Sequence, residues 1–174
     1  MSCRRLVFDT GPLCSFAVVA RLDLLEAICA GHGSWPLSVQ RELRAGARTL
    51  PALAHDVTFL GVPEVLERPA DILEAELLRV RLAGSSLGQR RNLGEAEAIF
   101  LARRRGGVLV SEDRDARVLA ASELGPGRVA STPDLVARAV RMGLVEVADA
   151  WKLHRAMVAA GRRPGRLDPG LFGH

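Results

Sequence analysis

The chain has 174 residues, of which 48% are hydrophobic, which suits one well-filled core and is too short for two. We expect a soluble, cytoplasmic protein without a membrane partner, because no apolar run approaches the roughly 20 residues of a membrane span and the N-terminus lacks a signal-peptide core. The net charge of +4 rests almost wholly on arginine, since Lys152 is the only lysine. Arginine suits phosphate contact, and the absence of a GxxxxGK[ST] motif argues against a phosphate-loop enzyme. The three cysteines lack ligand spacing and indicate neither a disulfide framework nor a zinc site.

The first part of the chain alternates short apolar runs with helical patterns. Asp9 closes the first apolar run, and the Thr-Gly-Pro that follows it turns the chain. Three segments have the β-branched, aromatic or apolar content of short strands: residues 5–9, 34–36 and 56–62. Three others have apolar residues at helical spacing, the first as one bent helix or two short ones: residues 13–30, 37–47 and 69–82.

The second part of the chain has the most regular pattern. Strands are predicted at residues 108–110 and 128–130. Helices are predicted before, between and after them: residues 92–105, 115–124, 133–142 and 147–160. This alternation predicts an α/β fold, a three-layer α/β/α sandwich around a central parallel sheet. We expect one domain over residues 1–160 and a loosely ordered, Gly/Pro/Arg-rich tail over residues 161–174.

Two acidic residues, Asp9 and Asp113, follow the ends of apolar strands. In a parallel sheet both would project at the same rim, where ligands of such folds bind. Carboxylates that converge repel one another unless a cation neutralises them, and oxygen ligands without histidine or cysteine favour Mg²⁺ or Mn²⁺ over zinc. Such an ion polarises a phosphate oxygen and makes a bound water nucleophilic. The rim is therefore the expected active site.

Four stretches occur in a characteristic order between about residue 4 and about residue 160: LVFDTGPL, VQREL, GEAEAIFLA and VLVSEDRDAR. Together they resemble the PIN-domain ribonucleases, and in particular the bacterial and archaeal branch near the VapC-like toxins that carries a GEAEAI motif. The resemblance implies that the catalytic acidic positions are Asp9, Glu42, Glu95 and Asp113, with Asp115 as an additional candidate. It further implies that Asp9, Glu95 and Asp113 ligate Mg²⁺ or Mn²⁺ and that Glu42 completes the pocket or positions water.

The same resemblance implies endonucleolytic cleavage of RNA by a nuclease domain at residues 1–160. Members of the family often form homodimers, and many are toxins silenced by an antitoxin protein. Thr10 and Ser111 stand beside two of the acidic residues and are candidates for orienting a carboxylate or a water. Arg90 and Arg91 precede the GEAEAI helix and are candidates for contact with RNA phosphates.

Each carboxylate also has a structural alternative. Glu95 follows Asn92 at the spacing of a capping box, and Asp113 stands where a helix N-cap is expected. Glu42, beside arginines, has the setting of a solvated surface residue. For Asp9 we favour a functional role over a structural one, because burying a carboxylate at the end of an apolar strand costs free energy unless its charge is neutralised. The alternative for the whole chain is a catalytically inactive PIN-fold module that binds nucleic acid or serves as a scaffold.

Overall fold

The computed structural model describes residues 4–47, 57–83 and 92–172. At its centre lies a sheet of four parallel strands in the spatial order β2-β1-β3-β4. The strands are β1 (Leu6–Phe8), β2 (Gly33–Ser34), β3 (Val108–Val110) and β4 (Val129–Ala130). The two central strands, β1 and β3, are far apart in sequence and pair directly, so the loops that follow them meet at one rim of the sheet.

Eight α-helices flank the sheet in the described part of the chain. They are α1 (Thr10–Val18), α2 (Leu22–Cys29), α3 (Leu37–Gly46), α4 (Pro69–Ala83), α5 (Leu93–Arg104), α6 (Arg114–Leu124), α7 (Thr132–Arg141) and α8 (Val147–Ala159). The first predicted helix is two short ones, because Ala20 adopts a positive φ of 53° between them. None of the helices in these described ranges combines the length and apolarity needed to cross a membrane.

Side chains that alternate between the two faces of the central strands produce the three layers. Leu6 and Phe8 belong to one buried cluster, which includes apolar residues of α1, α2, α7 and α8. Val7 points to the opposite face and packs, with Leu109, in a second cluster formed with α4, α5 and α6. Both faces of the sheet are therefore covered, which explains why its strands are apolar without alternation. The predicted α/β/α sandwich with a parallel sheet is confirmed.

The strand predicted at residues 56–62 is wrong over the described residues 57–62. A single 3-10 turn runs from Thr58 to Leu60 instead. Val57 and Leu60, three residues apart, are both buried, a spacing that brings them to the same side of a tight turn and not of a strand. Leu60 packs against Gly33 so closely that a Cβ on the glycine would lie 2.5 Å from a Leu60 methyl carbon.

Residues 161–172, which the sequence predicts to be loosely ordered, make specific contacts in the structure. Leu167 is buried, and the imidazole Nε2 of His154 lies 2.7 Å from the Gly165 carbonyl oxygen. A 3-10 turn over Pro169–Phe172 packs on α7, and the Phe172 ring meets the Trp151 ring edge to face, with centroids 6.1 Å apart. These contacts bring the segment after α8 back onto α7 and α8.

Candidate active site

The loops after β1 and β3 lie side by side at the carboxyl rim of the sheet. The Asp9 N–H donates to the carbonyl of Val110 at 3.0 Å, so Asp9 is held against the end of β3. Ser111 and Asp113 follow that strand within three residues. The structure therefore brings the two strand-end carboxylates to the same rim, as the parallel topology requires.

Asp9 is the most buried carboxylate of the site, with 4% of its surface exposed. One carboxylate oxygen accepts the N–H of Thr10 at 2.5 Å, and the other accepts the hydroxyl of Ser111 at 2.9 Å. The pKa of Asp9 is raised from 3.8 to about 7. Burial is the largest cause and the charge of Glu95 the next, the two hydrogen bonds oppose the shift, and Glu42 adds a smaller upward contribution. The charged form of Asp9 is therefore poorly compensated by this protein alone.

Glu95 lies in the first turn of α5 and is half-buried. Burial raises its pKa, its own backbone N–H opposes the shift, and the charges of Glu42 and Asp113 raise it further. Glu42 thus raises the pKa of both Asp9 and Glu95, whereas Asp113 raises only that of Glu95. The capping-box alternative for Glu95 is not observed, because Asn92 has a positive φ of 63° and its side chain makes no capping hydrogen bond.

Glu42 is an exposed residue of α3 that faces α5. Its carboxylate accepts a hydrogen bond from the Thr10 hydroxyl, which links it to the start of α1. Gly94 permits this approach, because a Cβ at that position would lie 2.8 Å from Glu42 Oε1 and 3.1 Å from a Val39 methyl carbon. The glycine of the GEAEAI stretch therefore makes room for a site carboxylate.

Asp113 is exposed and does cap α6, since its Oδ1 accepts the Ala116 N–H at 2.7 Å. Its own N–H donates to the Ser111 hydroxyl oxygen at 3.1 Å. Ser111 thereby joins the two strand-end acids, donating to the Asp9 carboxylate and accepting from the Asp113 backbone. The capping role leaves the second carboxylate oxygen of Asp113 for another partner.

The remaining candidates are placed as follows. Asp115 is exposed and lines a surface pocket between α4 and α6, together with Arg81 and Val118. It does not contribute to the shifted pKa of Asp9 or of Glu95. Arg90 and Arg91 lie outside the described residues.

Sequence reasoning missed two charged residues at this rim. Glu112, between Ser111 and Asp113, has a side chain only 10% exposed and accepts hydrogen bonds from Ser15 and Thr132. Arg162 forms an ion pair with it at 3.2 Å. Glu112 follows a strand as the predicted acids do, so its position was a usable signal. Arg162 offered none, because its contacts lie far from it in sequence.

The donor set of the site consists of carboxylate oxygens, the ligands that Mg²⁺ and Mn²⁺ prefer. Within residues 4–47, 57–83 and 92–172, no three histidine, cysteine, aspartate or glutamate side chains are grouped closely enough to hold one ion. Three of the four carboxylates instead accept protein hydrogen bonds: Asp9 from Ser111, Glu42 from Thr10 and Asp113 from Ala116. Their chemistry fits a hard divalent cation, and side-chain rotation would be needed to close around it.

Comparison with protein-family models matches residues 5–165 to a model described as a PIN domain. No curated protein and no solved structure matched the chain in the corresponding comparisons. The family match spans both central strands and every predicted acidic position. The chain therefore belongs to the PIN-domain family, whose members are generally nucleases that use divalent metal ions.

Proposed function

We propose that this PIN-domain protein is an endoribonuclease that hydrolyses RNA phosphodiester bonds with Mg²⁺ or Mn²⁺. One observation carries the proposal: a buried carboxylate, Asp9, whose pKa is raised to about 7 beside two further acids, Glu95 and Glu42. Where Asp9 is ionised, above neutral pH, such crowding destabilises the folded chain unless a cation is bound, so it is more readily understood as a functional arrangement than as a structural one.

In this proposal Asp9, Glu95 and Asp113 supply oxygen ligands, and Glu42 positions water or completes the pocket. The bound ion polarises a phosphate oxygen and lowers the pKa of a water. Ser111 orients the Asp9 carboxylate by donating a hydrogen bond to it, while Thr10 does the same for Glu42. These hydroxyl groups act as the second layer of partners that commonly fixes the orientation of metal-binding carboxylates.

The alternative is an inactive PIN-fold module that binds nucleic acid or serves as a scaffold. The four carboxylates weigh against it, because a surface that binds RNA without a cation gains nothing from negative charge facing phosphates. The two functions differ in a simple way. A nuclease needs the metal for turnover, whereas the inactive module leaves bound RNA intact in the presence of metal.

The deciding experiment incubates purified protein with labelled RNA of mixed sequence in Mn²⁺, Mg²⁺ or EDTA, with a DNA of the same sequence alongside. Asp9→Asn is the test variant, and Asp23→Asn, at an exposed aspartate on α2, is the matched control. Metal-dependent cutting of RNA by wild type and the control variant, but not by Asp9→Asn, supports the proposal. Binding of RNA without cutting supports the inactive module, and absence of metal binding contradicts the proposed cofactor.

A toxin role, with an antitoxin or a second copy of this chain as protein partner, is the finer proposal drawn from the resemblance. Exposed apolar side chains on α4 support a protein-binding surface there: Ile72, Leu73 and Leu77. Growth arrest on expression of wild type, but not of Asp9→Asn, would support the toxin role. Sedimentation tests the homodimer, with Leu77→Glu expected to dissociate it and Val158→Glu, on exposed α8 surface, as the control.

A further inference from the structure

The segment after α8 returns to the rim that carries the acidic site. Gly161, with φ of 81°, turns the chain, and the Arg162 N–H donates to the Met157 carbonyl at 3.0 Å, which fixes where the side chain starts. The guanidinium then crosses to the N-terminal half of α1. Its Nε donates to the Ser15 hydroxyl and its Nη2 donates to the Gly11 carbonyl, both at 3.1 Å.

The same guanidinium also reaches the loop after β3. Nη2 donates to Glu112 Oε2 at 3.2 Å, while the other oxygen of Glu112 accepts hydrogen bonds from Ser15 and Thr132. The first turn of α1 and the loop after β3 are in close contact here, because a Cβ on Gly11 would lie 3.2 Å from the Glu112 Cβ. A single planar side chain thus holds acceptors on α1 and on the loop after β3 in a fixed relative geometry.

Two of the three residues that the Arg162 guanidinium contacts, Gly11 and Glu112, adjoin residues of the acidic site. Gly11 follows Thr10, which donates to Glu42, and comes two residues after Asp9. Glu112 stands between Ser111, which donates to Asp9, and Asp113. A shift of the start of α1 or of the loop after β3 would therefore move the carboxylates beside it, and a 1 Å displacement in a catalytic site is enough to lower turnover substantially.

We propose that Arg162, paired with Glu112, is a positioning residue: it clasps the start of α1 to the loop after β3 and so sets the distance between Asp9, which directly precedes α1, and Asp113. The inference rests on the proposed function for its effect on metal binding and turnover. Arg162 acts through the start of α1 and the loop after β3, since it binds the Gly11 carbonyl and the Glu112 carboxylate and not a site carboxylate. Its positive charge also offsets the charge of Glu112, which would otherwise add a further uncompensated negative charge beside Asp113.

The experiment compares full-length wild type with Arg162→Met, which removes the charge and the fork but keeps an unbranched side chain. Arg163→Met, at the exposed neighbouring position, is the matched control. Hydrogen exchange of metal-free protein is measured over the peptides that contain Thr10–Gly11 and Glu112–Asp113. We expect both segments to exchange faster together in Arg162→Met, by at least about tenfold, with α5 unchanged, and neither to change in Arg163→Met.

The functional readouts are Mn²⁺ affinity by calorimetry and the kinetics of RNA cleavage. We expect Arg162→Met to bind Mn²⁺ about tenfold more weakly and to lose about tenfold in kcat with KM for RNA nearly unchanged, the range typical for residues that orient ligands. Arg162→Lys should recover part of the loss, because an ammonium keeps the charge opposite Glu112 but lacks the fork. A role in stability alone would lower the unfolding temperature without this split between kcat and KM.

Two results would overturn the proposed role of Arg162. One is hydrogen exchange in Arg162→Met that is unchanged over both Thr10–Gly11 and Glu112–Asp113, and the other is an Mn²⁺ affinity in Arg162→Met equal to that of Arg163→Met. If Arg162→Met does not fold, Arg162→Lys, Glu112→Gln and the double variant replace it. The proposal then requires that the double variant lose less free energy of Mn²⁺ binding than the two single variants lose in sum. If wild type neither binds Mn²⁺ nor cuts RNA, the proposed function fails, while hydrogen exchange still decides whether Arg162 couples the start of α1 to the loop after β3.

Discussion

Replacing Asp9 with asparagine should stabilise the metal-free protein while removing metal-dependent cleavage. Asparagine nearly preserves volume and can keep both hydrogen bonds, accepting from the Thr10 N–H through its oxygen and donating its amide to the Ser111 hydroxyl. It removes the buried charge that Glu95 and Glu42 oppose. Because the same charge is the proposed metal ligand, stability and activity should change in opposite directions.

The sign of the effect follows from the raised pKa of Asp9. A carboxyl whose pKa rises from 3.8 to about 7 on folding holds its proton more tightly in the folded state. Its contribution to stability is complete below about pH 4 and is lost progressively as the pH rises through about 7. Asparagine lacks this titration, so its advantage over aspartate should grow across the same window.

The magnitude follows from the size of the shift. The rise from 3.8 to about 7 is about three pKa units, each equivalent to about 1.36 kcal/mol, so the charged form costs about 4 kcal/mol above neutral pH. At about pH 5, only the part of the pKa shift between 3.8 and the ambient pH contributes, so Asp9 destabilises the folded chain by about 2 kcal/mol. The free energy of unfolding of Asp9→Asn should therefore exceed that of wild type by about 2 kcal/mol at the lower pH and about 4 kcal/mol at about pH 8.

Urea unfolding in EDTA at about pH 5 and about pH 8 measures these differences, with Asp23→Asn as the exposed control. Excess Mn²⁺ should then stabilise wild type and the control but not Asp9→Asn, since a ligand stabilises only the state that binds it. A loss of stability in metal-free Asp9→Asn at the higher pH, or a gain that does not grow with pH, would refute the reasoning about the buried charge.

Three further outcomes are expected. Mn²⁺ should bind wild type about tenfold more weakly at pH 6 than at pH 8 by calorimetry, because the ion must displace the proton of a carboxyl with a pKa of about 7; a flat profile would show that Asp9 is not a ligand. Ser111→Ala should lower cleavage about tenfold or more and shift the pH–rate profile upward, because the lost hydroxyl no longer favours the charged form of Asp9. Gly94→Ala should leave the unfolding temperature within a few degrees of wild type, because the better helix propensity of alanine offsets the crowding against Glu42 and Val39. It should nevertheless lower the rate of cleavage by displacing the Glu42 carboxylate. Asp115→Asn is the control, and equal cleavage by the two variants would argue against a role for Glu42.

Local patterns in the sequence were sufficient for the architecture and for much of the site. The repeat of apolar residues every 2 or every 3.6 positions, and the glycines and prolines that end each repeat, are properties of each segment by itself. The parallel strands and most helices could therefore be predicted. Asp9 and Asp113 could be assigned to one rim because parallel strands end on the same side. The choice between capping and function for Asp113 could not be made, because its carboxylate caps α6 and still belongs to the acidic rim.

Other features were decided only by packing between distant parts of the chain. Leu60 lies in a 3-10 turn because it fills the space left by Gly33, which outweighs the strand propensity of its own segment. Arg162 reaches Ser15 across 147 residues, a contact that no local pattern encodes. The sequence alone therefore determined which residues could form a parallel sheet with carboxylates at its rim, since propensity and strand direction are local. The tertiary structure decided how those carboxylates are buried, oriented and clasped, since burial and charge compensation depend on neighbours supplied by the whole fold.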